Sequence, residues 1–174
     1  MACSLTQGFP LDCRDGLGGV KSIFVTEFVN LDTLTVSGGT VTAITLETGK
    51  QFWEYKLRKQ TASFTEPATI NDQNGSVFYN QEVSFTLTRL QANYRSELAQ
   101  LIQLDVMVIV LDNTGSYWLL GTDKGLNVTA GSAAAGKAFG DLNGYTYTIG
   151  NGGESYPMLS LPSSFITALT APAS

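Results

Sequence analysis

Apolar and polar positions alternate along most of the chain, as half-buried strands require. Within 51–59, Trp53, Tyr55 and Leu57 fall on one face and Glu54, Lys56 and Arg58 on the other. Within 77–88, Val77, Tyr79, Val83, Phe85 and Leu87 alternate with Asn80, Glu82, Ser84, Thr86 and Thr88, which predicts the longest strand, one that runs past its own core. Residues 22–30 read as the first strand and 40–46 as a weakly sided one, reached through a weak apolar segment at 34–36 and a turn at Ser37-Gly38-Gly39. Residues 104–111 read as a central strand. Residues 63–70 put Phe64, Glu66, Ala68 and Ile70 on one side, but Pro67 has no N–H to donate, so an edge or a bulge is expected.

One helix interrupts the strands. Tyr94, Leu98, Leu101 and Ile102 recur at helical spacing, Arg95, Glu97, Gln100 and Gln103 face away, and Asn93 is the expected N-cap. Beyond it, short strands are expected at 117–120, 127–129, 137–141, 145–149 and 156–161, separated by glycines where the chain reverses. Asn143-Gly144 suits the centre of a type I′ hairpin turn. Residues 1–19 carry no period and read as an irregular arm; 162–174 read as a tail that lies over the body or hangs free. No repeat of fixed length emerges.

With 174 residues the chain has room for one sizeable core, with or without an arm. Only 14% of residues are charged, against about 25% in average globular proteins, while 43% are hydrophobic. Such a surface points to contact with other subunits, although a β-rich domain solvated by Thr, Ser, Asn and Gln has the same composition. Net charge is −5 and no segment concentrates Lys or Arg, so the basic patch that grips phosphates is missing. An acidic or neutral surface still suits nucleic acid that only slides past. Cys3 and Cys13, with no secretory signal before them, are expected as free thiols in a reducing compartment. The longest apolar run, 106–111, is of strand length and far below the roughly 20 residues of a membrane-spanning helix.

Candidate chemistry is sparse. Histidine is absent, which removes the commonest general base and zinc ligand. No Cys-x-x-Cys, phosphate-cradling loop or calcium loop occurs, so no metal or other cofactor is expected. Asp105, Asp112, Asp123, Asp141 and Glu154 are candidate paired carboxylates by type. Most stand in turn contexts where Asp is explained by bonds to nearby backbone N–H groups, so no enzyme activity is expected. The sequons at Asn74 and Asn127 are expected to stay unmodified without a secretory route. Trp53 and Tyr55 could stack on a sugar, but on a face shared with Leu57 burial or subunit contact is the expected use.

The succession of an aromatic strand, a strand with Phe-Thr-Leu-Thr at 85–88, the helix Asn-Tyr-Arg-Ser-Glu-Leu-Ala-Gln-Leu from Asn93, Val-Met-Val-Ile-Val-Leu-Asp-Asn at 106–113, Gly-Ser-Tyr-Trp-Leu-Leu-Gly-Thr-Asp-Lys-Gly-Leu at 115–126 and Asp-Leu-Asn-Gly-Tyr-Thr-Tyr-Thr at 141–148 resembles tail tube and tail ring (connector) proteins of tailed phages. It is similar in particular to those of phages of gut Bacteroidales, including crAss-like phages, over roughly 51–161. The resemblance implies a mainly β fold, a β-sandwich or curled β-barrel with one flanking α-helix, in a single domain spanning 20–174. It also implies a virion protein of the tail, made in the host cytoplasm without a membrane anchor. Copies would close into a ring, a hexamer or a dodecamer, contacting other tail or connector proteins while DNA passes the lumen without specific binding. The long hairpin such proteins extend between rings is placed at 51–80, and Trp53, Tyr55, Leu57, Phe64, Ile70 and Tyr79 are the expected subunit-contact residues. The alternative is a carbohydrate-binding or adhesin β-sandwich using Trp53, Tyr117 and Trp118.

Overall fold

The strand β1, Val20–Glu27, is apolar on both sides: Ile23 and Val25 face one way, Phe24 the other, and all three are buried. Such a strand is stable only in the middle of a sheet with both faces covered. The computed structural model that shows this describes Leu5, residues 7–11, Arg14 and residues 16–171. Cys3 and Cys13 lie outside the described residues. A 3-10 turn at Phe28–Asn30 leads to β2 (Leu31–Ser37), β3 (Thr40–Leu46), β4 (Phe52–Lys56), β5 (Ala62–Thr65), β6 (Ala68–Asn71) and β7 (Ser76–Thr88). After helix α1 (Ala92–Leu101) come β8 (Val106–Asp112), β9 (Tyr117–Leu120), β10 (Asn127–Ala134), β11 (Gly144–Glu154) and β12 (Leu159–Leu161). A second 3-10 turn, α2 (Ile166–Leu169) and the two-residue β13 (Thr170–Ala171) complete the described chain.

The strands form two sheets. One has eight strands in the order β13-β4-β1-β8-β9-β12-β3-β2; the other runs β10-β11-β7-β5, with β6 also on β7. The protein is a mainly β sandwich with a flanking helix and no closed barrel. Between the sheets lie Ile23, Val25, Val83, Phe85, Val106, Val108, Val110, Leu120 and Ile149, joined by Leu98 and Leu101 of α1. The far face of the eight-stranded sheet has its own core. Val41 and Ile44 of β3 meet Phe24, Phe52, Met107, Ile109 and Leu119 there, and Leu169 of α2 joins them. Because β1, β8, β9 and β12 each contribute to it, this core runs across the sheet from Phe52 of β4 to Val41 of β3.

Several expectations change. The N-cap of α1 is Gln91, not Asn93, and Ile102 follows the helix half-exposed instead of extending its apolar stripe. Residues 137–141 form a turn instead of a strand: Gly136 takes φ 65°, and Asp141 Oδ2 accepts the Lys137 and Ala138 amides, each at 2.8 Å. Asn143-Gly144 is no hairpin turn. Gly144 heads β11 opposite Thr88, and the Leu87 carbonyl oxygen sits where its Cβ would stand. Gly150, Gly152 and Gly153 lie inside β11 and do not reverse the chain. The tail packs on the body, with Leu169 buried and β13 parallel to β4.

Candidate functional site

The feature that stands out from the body is the hairpin of β5 and β6 against β7. At thirteen residues β7 is the longest strand, as its alternation predicts. It pairs with β11 from Tyr79 to Thr88, while Ser76, Val77 and Phe78 pair only with β6. The register against β7 is the same before and after Pro67, from Ala62↔Phe85 to Asn71↔Ser76. The hairpin's inner side therefore continues beyond the sandwich, where Ile70 and its partner Val77 are 67% and 51% exposed. The overhang corresponds to the last part of the expected 51–80 hairpin. Its first part does not belong there: β4 is in the other sheet, antiparallel to β1.

The six residues expected at subunit contacts divide. Tyr55, Leu57 and Phe64 pack against the core between the sheets, Tyr55 with its ring 6.0 Å from that of Phe85. Burial, assisted by Glu97, pushes the Tyr55 hydroxyl up to about 12. Tyr79 is half-buried where β7 leaves β11. Ile70 is on the overhang, and Trp53 is 54% exposed at the mouth of an open groove of about 570 Å³ between β4 and α1. Tyr55, Leu87, Tyr94 and Leu98 form the groove's apolar wall; Glu54, Lys56, Asn93 and Glu97 supply its polar groups. Of the aromatic trio considered for sugar stacking, only Trp53 is open. Trp118 donates its Nε1–H to Asp112 Oδ2 at 3.0 Å, and Tyr117 packs 6.3 Å from the Phe24 ring.

The candidate carboxylates hold loops. Asp112 Oδ1 accepts from the Thr114 amide (2.9 Å), the Thr114 hydroxyl (2.6 Å) and the Ser116 amide (2.9 Å). Burial works against its charge, but these bonds and that from Trp118 prevail and lower its pKa. The backbone N–H groups of Ala138 and Lys137 lower that of Asp141. Asp105 accepts from Asn127 at 3.0 Å, and Asp123 from the Ser155 hydroxyl at 2.7 Å. Glu154 is fully buried and accepts from the amides of Asp123 (2.9 Å) and Lys124 (3.2 Å) and from Asn151 Nδ2 (3.1 Å). Burial outweighs those donors and raises its pKa, with the nearby Asp123 charge adding to the rise.

Beside this carboxylate, Gln81 Oε1 accepts the Gly121 amide at 2.8 Å, while its Nε2 donates to Glu66 Oε2 at 2.8 Å. Glu66 also accepts the Met158 amide at 2.6 Å. These bonds tie three connections to the base of the overhang. Both stand in the apolar phase of their strands, Gln81 between Tyr79 and Val83 and Glu66 between Phe64 and Ala68, so the period marks them as inward-facing polar residues and tertiary contact supplies the partners.

Among the described residues four strand margins carry no strand partner: β10 and the β5/β6 edge on the five-stranded sheet, and β2 and the two-residue β13 on the eight-stranded sheet. In β10, Gly131 lies under the Tyr147 ring, which leaves no room for a Cβ. The eight residues Asn127–Ala134 contain neither a charge nor a proline, the usual protections of an exposed edge. Among the described residues, no helix is long and apolar enough to cross a membrane. No protein family, curated protein or solved structure matches the chain.

Proposed function

We propose that this chain is a structural protein of a phage tail, whose copies border one another in a ring, as a tube or portal-side connector layer, around the channel through which DNA passes. The observation that carries the reading is β10: a strand of about 26 Å at roughly 3.3 Å per residue, unpartnered on one side and without charge or proline. An uncovered margin of this kind invites pairing with another chain, and closure into a ring covers every copy's edge at once. The overhanging Ile70 and Val77 offer apolar contact beyond the body, and the carboxylates are engaged in holding loops. The scarcity of charge suits both a subunit surface and a lumen that does not hold DNA. Light scattering and negative-stain images of the purified chain over a concentration series test this. Rings or tubes are expected, with no tight DNA binding at physiological salt; a permanent monomer would overturn the reading.

The second reading, a carbohydrate-binding β-sandwich, is favoured by the exposure of Trp53 beside Tyr94 in the groove. A glycan array separates the two, because a ring subunit gives no signal there.

A further inference from the structure

We infer that the groove between β4 and α1 receives the N-terminal arm of a second copy, with Phe9-Pro10-Leu11 laid against Trp53 and Tyr94. The inference rests on the self-assembly proposed above and adds to it a partner segment. Leu5, Phe9 and Leu11 are as exposed as side chains can be, and no charge separates them between residues 5 and 11. An uncharged apolar segment extended into water lacks only a surface to cover it. Proline favours an extended conformation in the residue before it, and extended proline-containing segments dock in aromatic-lined grooves at little conformational cost. The groove presents that surface: Trp53 and Tyr94 line it together with Tyr55, Leu87 and Leu98, with Asn93 and Glu97 available to the arm's backbone.

The arm bypasses its own groove: Ser22 pairs with the groove-lining Lys56, yet Phe9 and Leu11 stay fully exposed, which leaves a neighbour's groove to receive them. In the sheet, β1 lies between β4, which carries the groove, and β8. Immediately before β1, the Gly19 carbonyl accepts the Asn113 amide at 3.1 Å, and the Gly18 carbonyl accepts Asn113 Nδ2 at 2.7 Å. Both bonds bind the exit to the end of β8, on the side away from β4. From there, ten residues reach Phe9, about 35 Å when extended, enough to span to an adjacent subunit.

A benzophenone amino acid placed at Phe9 of the full chain tests this, in an equal mixture of isotopically heavy and light protein irradiated under assembling conditions. The expected product is a heavy–light link from position 9 to peptides containing Trp53 or Tyr94. Phe9→Ser and Trp53→Ala should each raise the concentration of half-assembly about tenfold, and the double variant should add little to either. Assemblies whose links fall within one copy or on another surface overturn the arm's role and leave the ring standing. Monomers without links overturn both, and glycan binding abolished by Trp53→Ala without any link to the groove assigns the site to sugar instead.

Discussion

The carboxylate of Glu154, at the end of β11, accepts the backbone amide of Asp123 at 2.9 Å while wholly shielded from water. That bond, with those from Lys124 and Asn151, joins the β9–β10 connection to the strand on which β10 depends for pairing. Glu154→Ala removes the acceptor of the Asp123 and Lys124 amides and one of the two acceptors of Asn151 Nδ2, and is expected to cost about 1–3 kcal/mol in urea denaturation. Glu154→Gln, which keeps an acceptor oxygen, should cost less than half as much.

Glu154 and Asp112 act in opposite pH windows. Burial holds the Glu154 pKa above its ordinary 4.5, so protonation favours the folded state. Its contribution is full below 4.5, is lost as pH rises through the raised value, and is flat beyond. The Asp112 value lies below its ordinary 3.8, so its contribution is present above 3.8 and is lost as pH falls through the lowered value. Stability measured from pH 2 to 7 should therefore lose its mild-acid slope in Glu154→Gln and part of its low-pH slope in Asp112→Asn, Asp141 acting in the same low-pH window.

At Gly144 the backbone of Leu87 occupies the space of a Cβ, whereas at Gly140 nothing approaches within 4 Å and φ is not left-handed. Gly144→Ala should lower stability by about 1–3 kcal/mol, and Gly140→Ala should leave it within about 0.5 kcal/mol, by thermal unfolding. Equal behaviour of the two variants would show that the β7–β11 approach tolerates a side chain.

Ile70→Asp and Val77→Asp alter the overhang and remove no residue from either core. Each should leave the unfolding midpoint nearly unchanged while suppressing rings or tubes in negative-stain images. Unimpaired assembly would exclude the overhang from subunit contact.

Strong alternation and unbroken apolar runs were legible in the sequence. The buried β8, the length of β7 and the loop-holding use of Asp112 follow directly from residue type and period. Glycine misleads where it answers crowding: Gly144 and Gly131 make room for the Leu87 backbone and the Tyr147 ring, not for a reversal, so β11 and β10 are longer than the turn signals imply. The second core was hidden for another reason. It gathers Val41, Phe52 and Leu169 from distant segments through the order of strands in the sheet, which no local pattern encodes. The candidate site was legible in part. Ile70 and Trp53 are open as a contact role needs, whereas Tyr55, Leu57 and Phe64 pack on their own core.

Pro67 interrupts the ladder of the overhanging hairpin without changing its phase. A bend at that point alters the direction in which the tip projects but shifts no residue against its partner, so Ile70 and Val77 remain a matched pair at any tilt. In the proposed ring, neighbours set at somewhat different angles would thus meet the same face of the tip.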